Sequence, residues 1–239
     1  MKIALIGYGK MGQEIEQIAI ASGHEIVLKI DINNQHEFTA ENLKKAEVAI
    51  EFTTPHTAIA NFYKCFSAGI PTVAGSTGWM DKFNDVKLEC EKLNGKFFYA
   101  SNYSLGVNIF SRVNKFLAKL MNNFPDYEAN MLEVHHTQKL DAPSGTAITL
   151  AEGVIDNIDR LNKWELSSSE NKEALRIDYI RQFKVPGIHT IHYESDVDLI
   201  EITHSAKNRK GLALGAIKAA EFLITQKQGI YTMDDLLKF

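Results

Sequence analysis

The sequence predicts an α/β protein in two parts: a parallel sheet flanked by helices, then an α+β unit with a mixed or antiparallel sheet. Three observations carry this. Up to Ala100, short apolar runs alternate with stretches of helical period, and continuous apolar runs mark parallel strands covered on both faces. Beyond Asn102 comes a long amphipathic stretch, followed by strand-like segments of alternating polarity. The chain then closes on a segment rich in small and apolar residues.

Taken in order, residues 3–6 are a strand. Residues 11–22 are a helix with Ile15, Ile18 and Ala19 on one face, and residues 25–30 are the second strand. Strands over 48–52, 72–74 and 96–100 continue the sheet, with helices over 56–68 and 80–93 between them. Such alternation implies right-handed crossovers. Residues 107–121 are a helix, 129–135 a strand and 146–161 a helix. Strands follow over 175–183, 188–194 and 197–204, the last two joined by a tight hairpin at Ser195-Asp196. The alternation Ile177-Asp178-Tyr179 points to antiparallel pairing with one wetter face. Residues 167–171 form an exposed loop. Residues 212–225 are helical, and Thr232 to Asp235 opens a short capped helix.

The expected division is a discontinuous first domain, 1–103 plus 212–239, and a second domain, 104–211. Hinges fall near 102–104 and 207–212, with the site in the cleft. Ile180, Ile191 and Tyr193 read as exposed apolar residues, which implies self-association.

Composition sets the outer limits. The chain has 239 residues, 45% hydrophobic and 23% charged, enough for a sizeable core. A net charge of −4 excludes a general nucleic-acid footprint but not a local basic pocket. Cys65 and Cys90 make neither a disulfide framework nor a metal cluster. Met1-Lys2-Ile3 runs straight into a strand pattern with no signal peptide, and no apolar run reaches membrane length. A cytoplasmic protein without membrane or nucleic-acid partners is expected.

Gly7-Tyr8-Gly9-Lys10-Met11-Gly12 lies between the first strand and the first helix. Gly7 makes the tight turn, Gly9 admits a pyrophosphate to the backbone, and Gly12 lets the helix pack on the strand. The helix N-terminus, at Lys10 and Met11, then faces the phosphates. Asp31 ends the second strand, placed to accept hydrogen bonds from an adenosine ribose. These features define a Rossmann-type dinucleotide domain. Phe52-Thr53 and Gly75-Ser76-Thr77 end the third and fourth strands, where ligands bind such sheets; either segment alone also suits a plain turn.

The densest chemistry lies between Glu133 and Ala147. His135, His136 and Lys139 end a strand, and Asp141-Ala142-Pro143 leads to Ser144-Gly145-Thr146 at a helix start. Cations converging on a helix N-terminus make a trap for carboxylate or phosphate. Neighbouring histidines on a strand point to opposite faces, so a metal pair is not expected. These residues leave three readings open: a reductase of an acidic substrate, another two-domain dehydrogenase, or a nucleotide-sensing binding protein. A binding protein has no need of His135 and Lys139.

The chain resembles the 4-hydroxy-tetrahydrodipicolinate (dihydrodipicolinate) reductases of bacterial diaminopimelate and lysine synthesis. The resemblance rests on His135-His136, Lys139 and Asp141 to Ala147. It extends to Gly75 to Gly78, Ala100, Asn102 to Ser104, Gly106 to Asn108, Gly187, His189-Thr190 and Glu201 to His204. It implies an oxidoreductase that uses NADH or NADPH to reduce a cyclic imine dicarboxylate with loss of water. It implies His135 and Lys139 as the catalytic pair, and His136, Ser144, Gly145 and Thr146 as substrate contacts. Ala100, Asn102 and Tyr103 join the cofactor contacts, and a homotetramer follows. The chain departs from the family at Thr137 and Gln138, where basic residues are common, so a less cationic pocket is expected. The nucleotide loop and the stretch 32–46 are also short. Asp31, with Ile32, Asn33 and Asn34 after it, predicts NADH preferred or equal, with Lys29 on the same face partly offsetting its charge.

Overall fold

The computed structural model describes residues 1–167, 171–208 and 210–238. The chain divides into two compact units, Met1–Ser104 with Lys210–Phe239, and Leu105–Arg209.

The first unit holds strands β1 (Lys2–Ile6), β2 (Glu25–Ile30), β3 (Val48–Glu51), β4 (Thr72–Ala74) and β5 (Lys96–Tyr99). Its helices are α1 (Lys10–Ala21), α2 (Ala40–Leu43), α3 (Pro55–Ser67) and α4 (Phe83–Lys92). The 80–93 stretch begins as a separate 3-10 turn at Met80–Lys82. The chain returns to this unit through α7 (Lys210–Thr225), β11 (Gly229–Tyr231) and α8 (Met233–Leu237). All pairings are parallel, in the order β11-β5-β4-β3-β1-β2. The order reverses between β1 and β3, which opens the crevice where such sheets bind ligands. Helix α7 packs on α1, β3, β4 and β5 with a face of small residues. Gly215 shows why: a Cβ there would sit 1.7 Å from the Tyr103 carbonyl oxygen. At the last helix, the Asp235 carboxylate accepts from the backbone N–H and hydroxyl of Thr232, the cap expected from sequence.

The second unit holds α5 (Leu105–Met121), β6 (Glu128–His135), α6 (Gly145–Ile155) and β7 (Lys163–Leu166). It continues with β8 (Ala174–Arg181), β9 (Gly187–Glu194) and β10 (Leu199–Ala206). The sheet runs β10-β9-β6-β8-β7 and is mixed. β8 is parallel to both its neighbours, so the alternation at Ile177-Asp178-Tyr179 reflects a half-exposed face and not antiparallel pairing. Helix α6 stops at Ile155, short of Leu161. Asn157 Nδ2 donates to the Gly153 carbonyl, and Asp159 exchanges hydrogen bonds with Asn122, so these side chains draw the backbone out of the helix. The β9–β10 connection is a four-residue loop closed by Ser195 N–H on the Asp198 carbonyl, 3.0 Å, rather than a two-residue hairpin.

Ile180 is exposed as expected, but Ile191 and Tyr193 are fully buried. β9 lies inside the sheet, and these two side chains join Phe110, Met131, Leu150 and Val154 in the core beneath α5 and α6. Leu199 and Ile200 on edge strand β10 are exposed instead. Of the 167–171 loop, residues 168–170 lie outside the described residues, as does Arg209 in the 207–212 segment.

Candidate active site

In the first unit the glycines are fixed by contact. A Cβ on Gly7, whose φ is +97°, would lie 2.0 Å from the Phe52 carbonyl oxygen, and one on Gly12 would lie 2.3 Å from the Gly7 carbonyl oxygen. A Cβ on Gly9 would meet nothing within 4 Å. No side chain caps α1, so its first N–H groups, beside Lys10 and Met11, meet open space at Gly9. This cradle fits a pyrophosphate.

The ends of β3 and β4 are knitted together. A Cβ on Gly75 would clash with the Phe52 ring at 2.1 Å, so ring and glycine stack without a gap. Thr53 N–H donates to Ser76 Oγ (2.8 Å), and Ser76 Oγ donates to Glu51 Oε1 (3.0 Å). The Thr53 hydroxyl and Asn61 Nδ2 also donate to Glu51 Oε1. Glu51 is fully buried, and burial raises its carboxyl pKa against these hydrogen bonds. Sequence reasoning had passed over this residue. A cavity of about 280 Å³ opens beside this rim, lined by Ser76, Thr77, Trp79, Tyr99 and Ala100.

Asp31 follows β2 and is half-buried, one carboxylate oxygen accepting from Asn33 N–H at 2.6 Å. Lys29 does not offset its charge freely: its ammonium lies 3.2 Å from Glu16 Oε1 and over the Tyr8 ring. Asn102 accepts from Ser104 N–H, and Tyr103 is buried with its hydroxyl on the Ala74 carbonyl. Tyr103 thereby braces the end of β4 from within.

In the second unit, strand register assembles the site. His135 is opposite Arg181 on β8, and Glu133 is opposite His189 on β9. Glu133 and His135 are two residues apart on β6 and therefore share a face. Glu133 is fully buried. Its Oε1 accepts from Arg181 (3.0 Å) and its Oε2 from Ser144 N–H (3.0 Å). His135 Nδ1 lies 3.6 Å from Oε2, and the His135 and His189 rings meet edge to face. Burial raises the Glu133 carboxyl, but Ser144, Arg181 and His135 outweigh it and hold the group below the usual range, ionised. Burial lowers His135, opposed by Glu133 and helped by Lys139, Arg181 and His136. His189 is pushed down to about 4, chiefly by burial.

β6 ends at His135, so the half-buried His136 begins the loop. The Lys139 ammonium is paired with Asp141, which holds the Asp141 carboxyl below its usual range. Arg181 binds the carbonyls of Lys139 and Asp141 and so clamps the loop to the sheet. Ser144 caps α6 by accepting from Ala147 N–H, and its hydroxyl lies 3.2 Å from His189 Nε2. Helix geometry gives the N–H groups of Gly145 and Thr146 no intrahelical acceptor, and a Cβ on Gly145 would meet nothing within 4 Å. This helix end is open to an anion.

Arg181, His189 and Glu133 complete the cluster, and none was assigned a role from sequence. Glu133 stood two residues before His135, a spacing that puts both on one strand face; Arg181 and His189 needed the register. Glu133, His135 and His189 bring one donor atom each within 4.8 Å of one another, a metal-like spacing. The carboxylate, however, already serves a guanidinium and an N–H, which suits a charged hydrogen-bond network better than a cation cage.

The family model described as "Dihydrodipicolinate reductase, N-terminus" matches residues 1–103, and that described as "Dihydrodipicolinate reductase, C-terminus" matches 106–237. The chain is 47% identical over 238 residues to a 4-hydroxy-tetrahydrodipicolinate reductase of Christiangramia forsetii, covering 99% of this chain and 98% of that one. It is 32% identical over 246 residues to one from Staphylococcus carnosus, covering 99% of each. In fold it is similar to a dipicolinate-bound dihydrodipicolinate reductase from Paenisporosarcina sp. TG-14, with a TM-score of 0.78, 22% identity and 97% of each chain covered. With both halves matched and close relatives spanning its whole length, the chain belongs to the dihydrodipicolinate reductase family.

Proposed function

We propose that this chain is a 4-hydroxy-tetrahydrodipicolinate reductase, with the Glu133–Thr146 cluster as its substrate site and the Gly7–Gly12 cradle as its cofactor site. The observation that carries the reading is the meeting of a buried imidazole, a lysine ammonium and an open helix N-terminus in one cluster. The substrate is a cyclic imine dicarboxylate, reduced to tetrahydrodipicolinate with loss of the 4-hydroxyl as water, on the route to diaminopimelate and lysine. The similar structure was solved with dipicolinate, a cyclic dicarboxylate, which supports this substrate class.

The bound nicotinamide supplies the hydride. Residues 1–103 with 212–239 serve as the cofactor domain, and 104–211 as the substrate and assembly domain. Gly7, Gly9, Lys10, Met11 and Gly12 hold the pyrophosphate at α1. Asp31 takes the ribose hydroxyls. Phe52, Thr53, Gly75, Ser76, Thr77 and Ala100 form the rim, braced by Asn102 and Tyr103. NADH is preferred or equal to NADPH.

His136, Ser144, Gly145 and Thr146 bind a substrate carboxylate at the positive end of α6. His135 and Lys139 supply protons and offset charge developing on the ring. Exposed Ile180, Leu199 and Ile200 support self-association of the second unit, and the family resemblance implies a homotetramer. Unpaired, buried Cys65 and Cys90 support a cytoplasmic setting, and no helix among the described residues is long and apolar enough to cross a membrane.

The test is oxidation of reduced nicotinamide with the cyclic substrate, made fresh by the preceding synthase. Turnover is expected with the wild type, and Thr146→Val is expected to raise KM far more than it lowers kcat. No turnover with this substrate refutes the reading.

A further inference from the structure

We propose that Glu133 is a positioning residue for the proton-donating imidazole: it faces Nδ1 of His135 and so leaves Nε2, the nitrogen beside Gly187, to deliver the proton. The proposal rests on the function just described. It goes further by naming the atom that acts and the residue that selects it.

Four observations support it. Glu133 is fully buried and ionised, anchored through Oε1 on Arg181 and through Oε2 on Ser144 N–H, so it cannot swing away. His135 Nδ1 is sealed from solvent, has no hydrogen-bond partner and lies 3.6 Å from Oε2, so a proton on Nδ1 meets this carboxylate. On the other side of the ring, a Cβ on Gly187 would come within 3.0 Å of Nε2, so the absent side chain keeps that nitrogen uncovered. Finally, the charged and titratable groups around the ring are mostly cationic. Lys139 and His136 face it from the loop, Arg181 from β8 and His189 from β9, and each opposes a second positive charge. Asp141 is spent on Lys139. Among the described residues, Glu133 is the anion that favours the imidazolium.

In the step itself the Nε2–H bond breaks and its electron pair stays on nitrogen. The proton passes to the basic atom of the substrate, and solvent later reprotonates the neutral ring. Glu133 keeps its own charge throughout and touches neither substrate nor cofactor. The same carboxylate sets the start of α6 through Ser144 N–H, so the proton donor and the anion trap share one anchor.

The experiment is ¹⁵N NMR of the His135 ring in the full, ligand-free chain, combined with kcat and KM for wild type, Glu133→Gln, Glu133→Asp and Gly187→Ala. In the wild type, the neutral ring is expected to carry its hydrogen on Nδ1. In Glu133→Gln the ring should titrate about one pH unit lower, a tenfold loss of proton affinity. Its kcat should fall roughly 10–100-fold, with KM changed by less than about threefold. Glu133→Asp should recover part of both effects. Gly187→Ala, which covers Nε2, should lose turnover while keeping cofactor affinity. The proposal is overturned if the wild-type ring carries its hydrogen on Nε2, or if Glu133→Gln titrates and turns over like the wild type. Should Glu133→Gln fail to fold, the wild-type tautomer and Gly187→Ala still decide the matter. If the wild type does not reduce the cyclic substrate, the proposed function fails, yet the tautomer and titration still judge the contact.

Discussion

Both carboxylate oxygens of Asp141 lie 2.9 Å from the Lys139 ammonium, so the lysine is tethered by its own loop. Asp141 is exposed, and a pair of that kind contributes little to folding. The pair holds the ammonium within electrostatic reach of the His135 and His189 rings. Lys139→Met is therefore expected to lower kcat about 10²–10⁴-fold with almost no change in Tm. Asp141→Asn, which removes only the tether, should stay within roughly tenfold of wild type. Steady-state kinetics and thermal melts on the two variants check this, and near-normal turnover in Lys139→Met would refute the assignment.

His189 gives the fold an acid weakness. Its ring is buried against Glu133 and His135 and is pushed down to about 4, below the ordinary imidazole value near 6.5. Between those values the unfolded chain binds the proton and the folded chain does not. Stability contributed by the neutral ring is thus present above about pH 6.5 and is lost as pH falls toward 4, by up to about 3 kcal/mol. Glu133 adds a second loss as pH falls below the ordinary carboxylate value, since its carboxyl is held below that range in the fold. Urea unfolding from pH 7 to pH 4 should show the first loss in wild type and a flatter curve in His189→Gln. Equal slopes in the two proteins would remove His189 from the explanation.

Local signals made much of this legible in the sequence. Parallel strands betray themselves as apolar runs, and the bounds of β2 and β4 follow directly from residues 25–30 and 72–74. Gly7 and Gly12 were readable because only a missing Cβ permits the contacts found there. What failed depended on distant partners. Ile191 and Tyr193 show strand alternation, but which face the helices cover is a tertiary fact. α6 ends early because Asn122, far away in sequence, competes for the backbone at Asp159. β7 and β11 are short strands recruited by a neighbour's edge. The site divided the same way: His135, Lys139 and Ser144 announce themselves in one segment, whereas Arg181 and His189 reach it only through the pairing of β8 and β9 with β6.

Cofactor choice turns on Asp31 and Lys29. An acid after the second strand suits the two ribose hydroxyls and repels a 2′-phosphate. The nearby Lys29 is engaged by Glu16 and the Tyr8 ring, so its charge is largely balanced. The expected result is a kcat/KM for NADH equal to or above that for NADPH at fixed salt. Asp31→Ser should shift the ratio toward NADPH by about tenfold, or roughly 1.4 kcal/mol. A tenfold NADPH advantage in the wild type would show that Asp31 does not discriminate.

Glu51 provides the last test, because its carboxyl behaves opposite to Glu133. It is buried with no cation beside it among the described residues, and its Oε2 has no hydrogen-bond partner among them, whereas Oε1 accepts from Thr53, Ser76 and Asn61. Burial raises its pKa, so the folded chain holds the proton at pH values where the unfolded chain has released it. Stability therefore falls as pH rises above about 4.3 through the raised value. Glu51→Gln imitates the protonated acid: its carbonyl can take the same donors, and it has no proton to lose. The variant should gain on the wild type as pH climbs from 5 to 8, read as a rise in its Tm relative to wild type. Glu51→Ala should lose the link between the ends of β3 and β4, weakening cofactor binding at every pH. Thermal melts at pH 5 and pH 8, with cofactor titration at each, separate the two effects. A Glu51→Gln variant that loses stability relative to wild type as pH rises would mean the carboxyl is ionised in the fold, with a counter-charge close by.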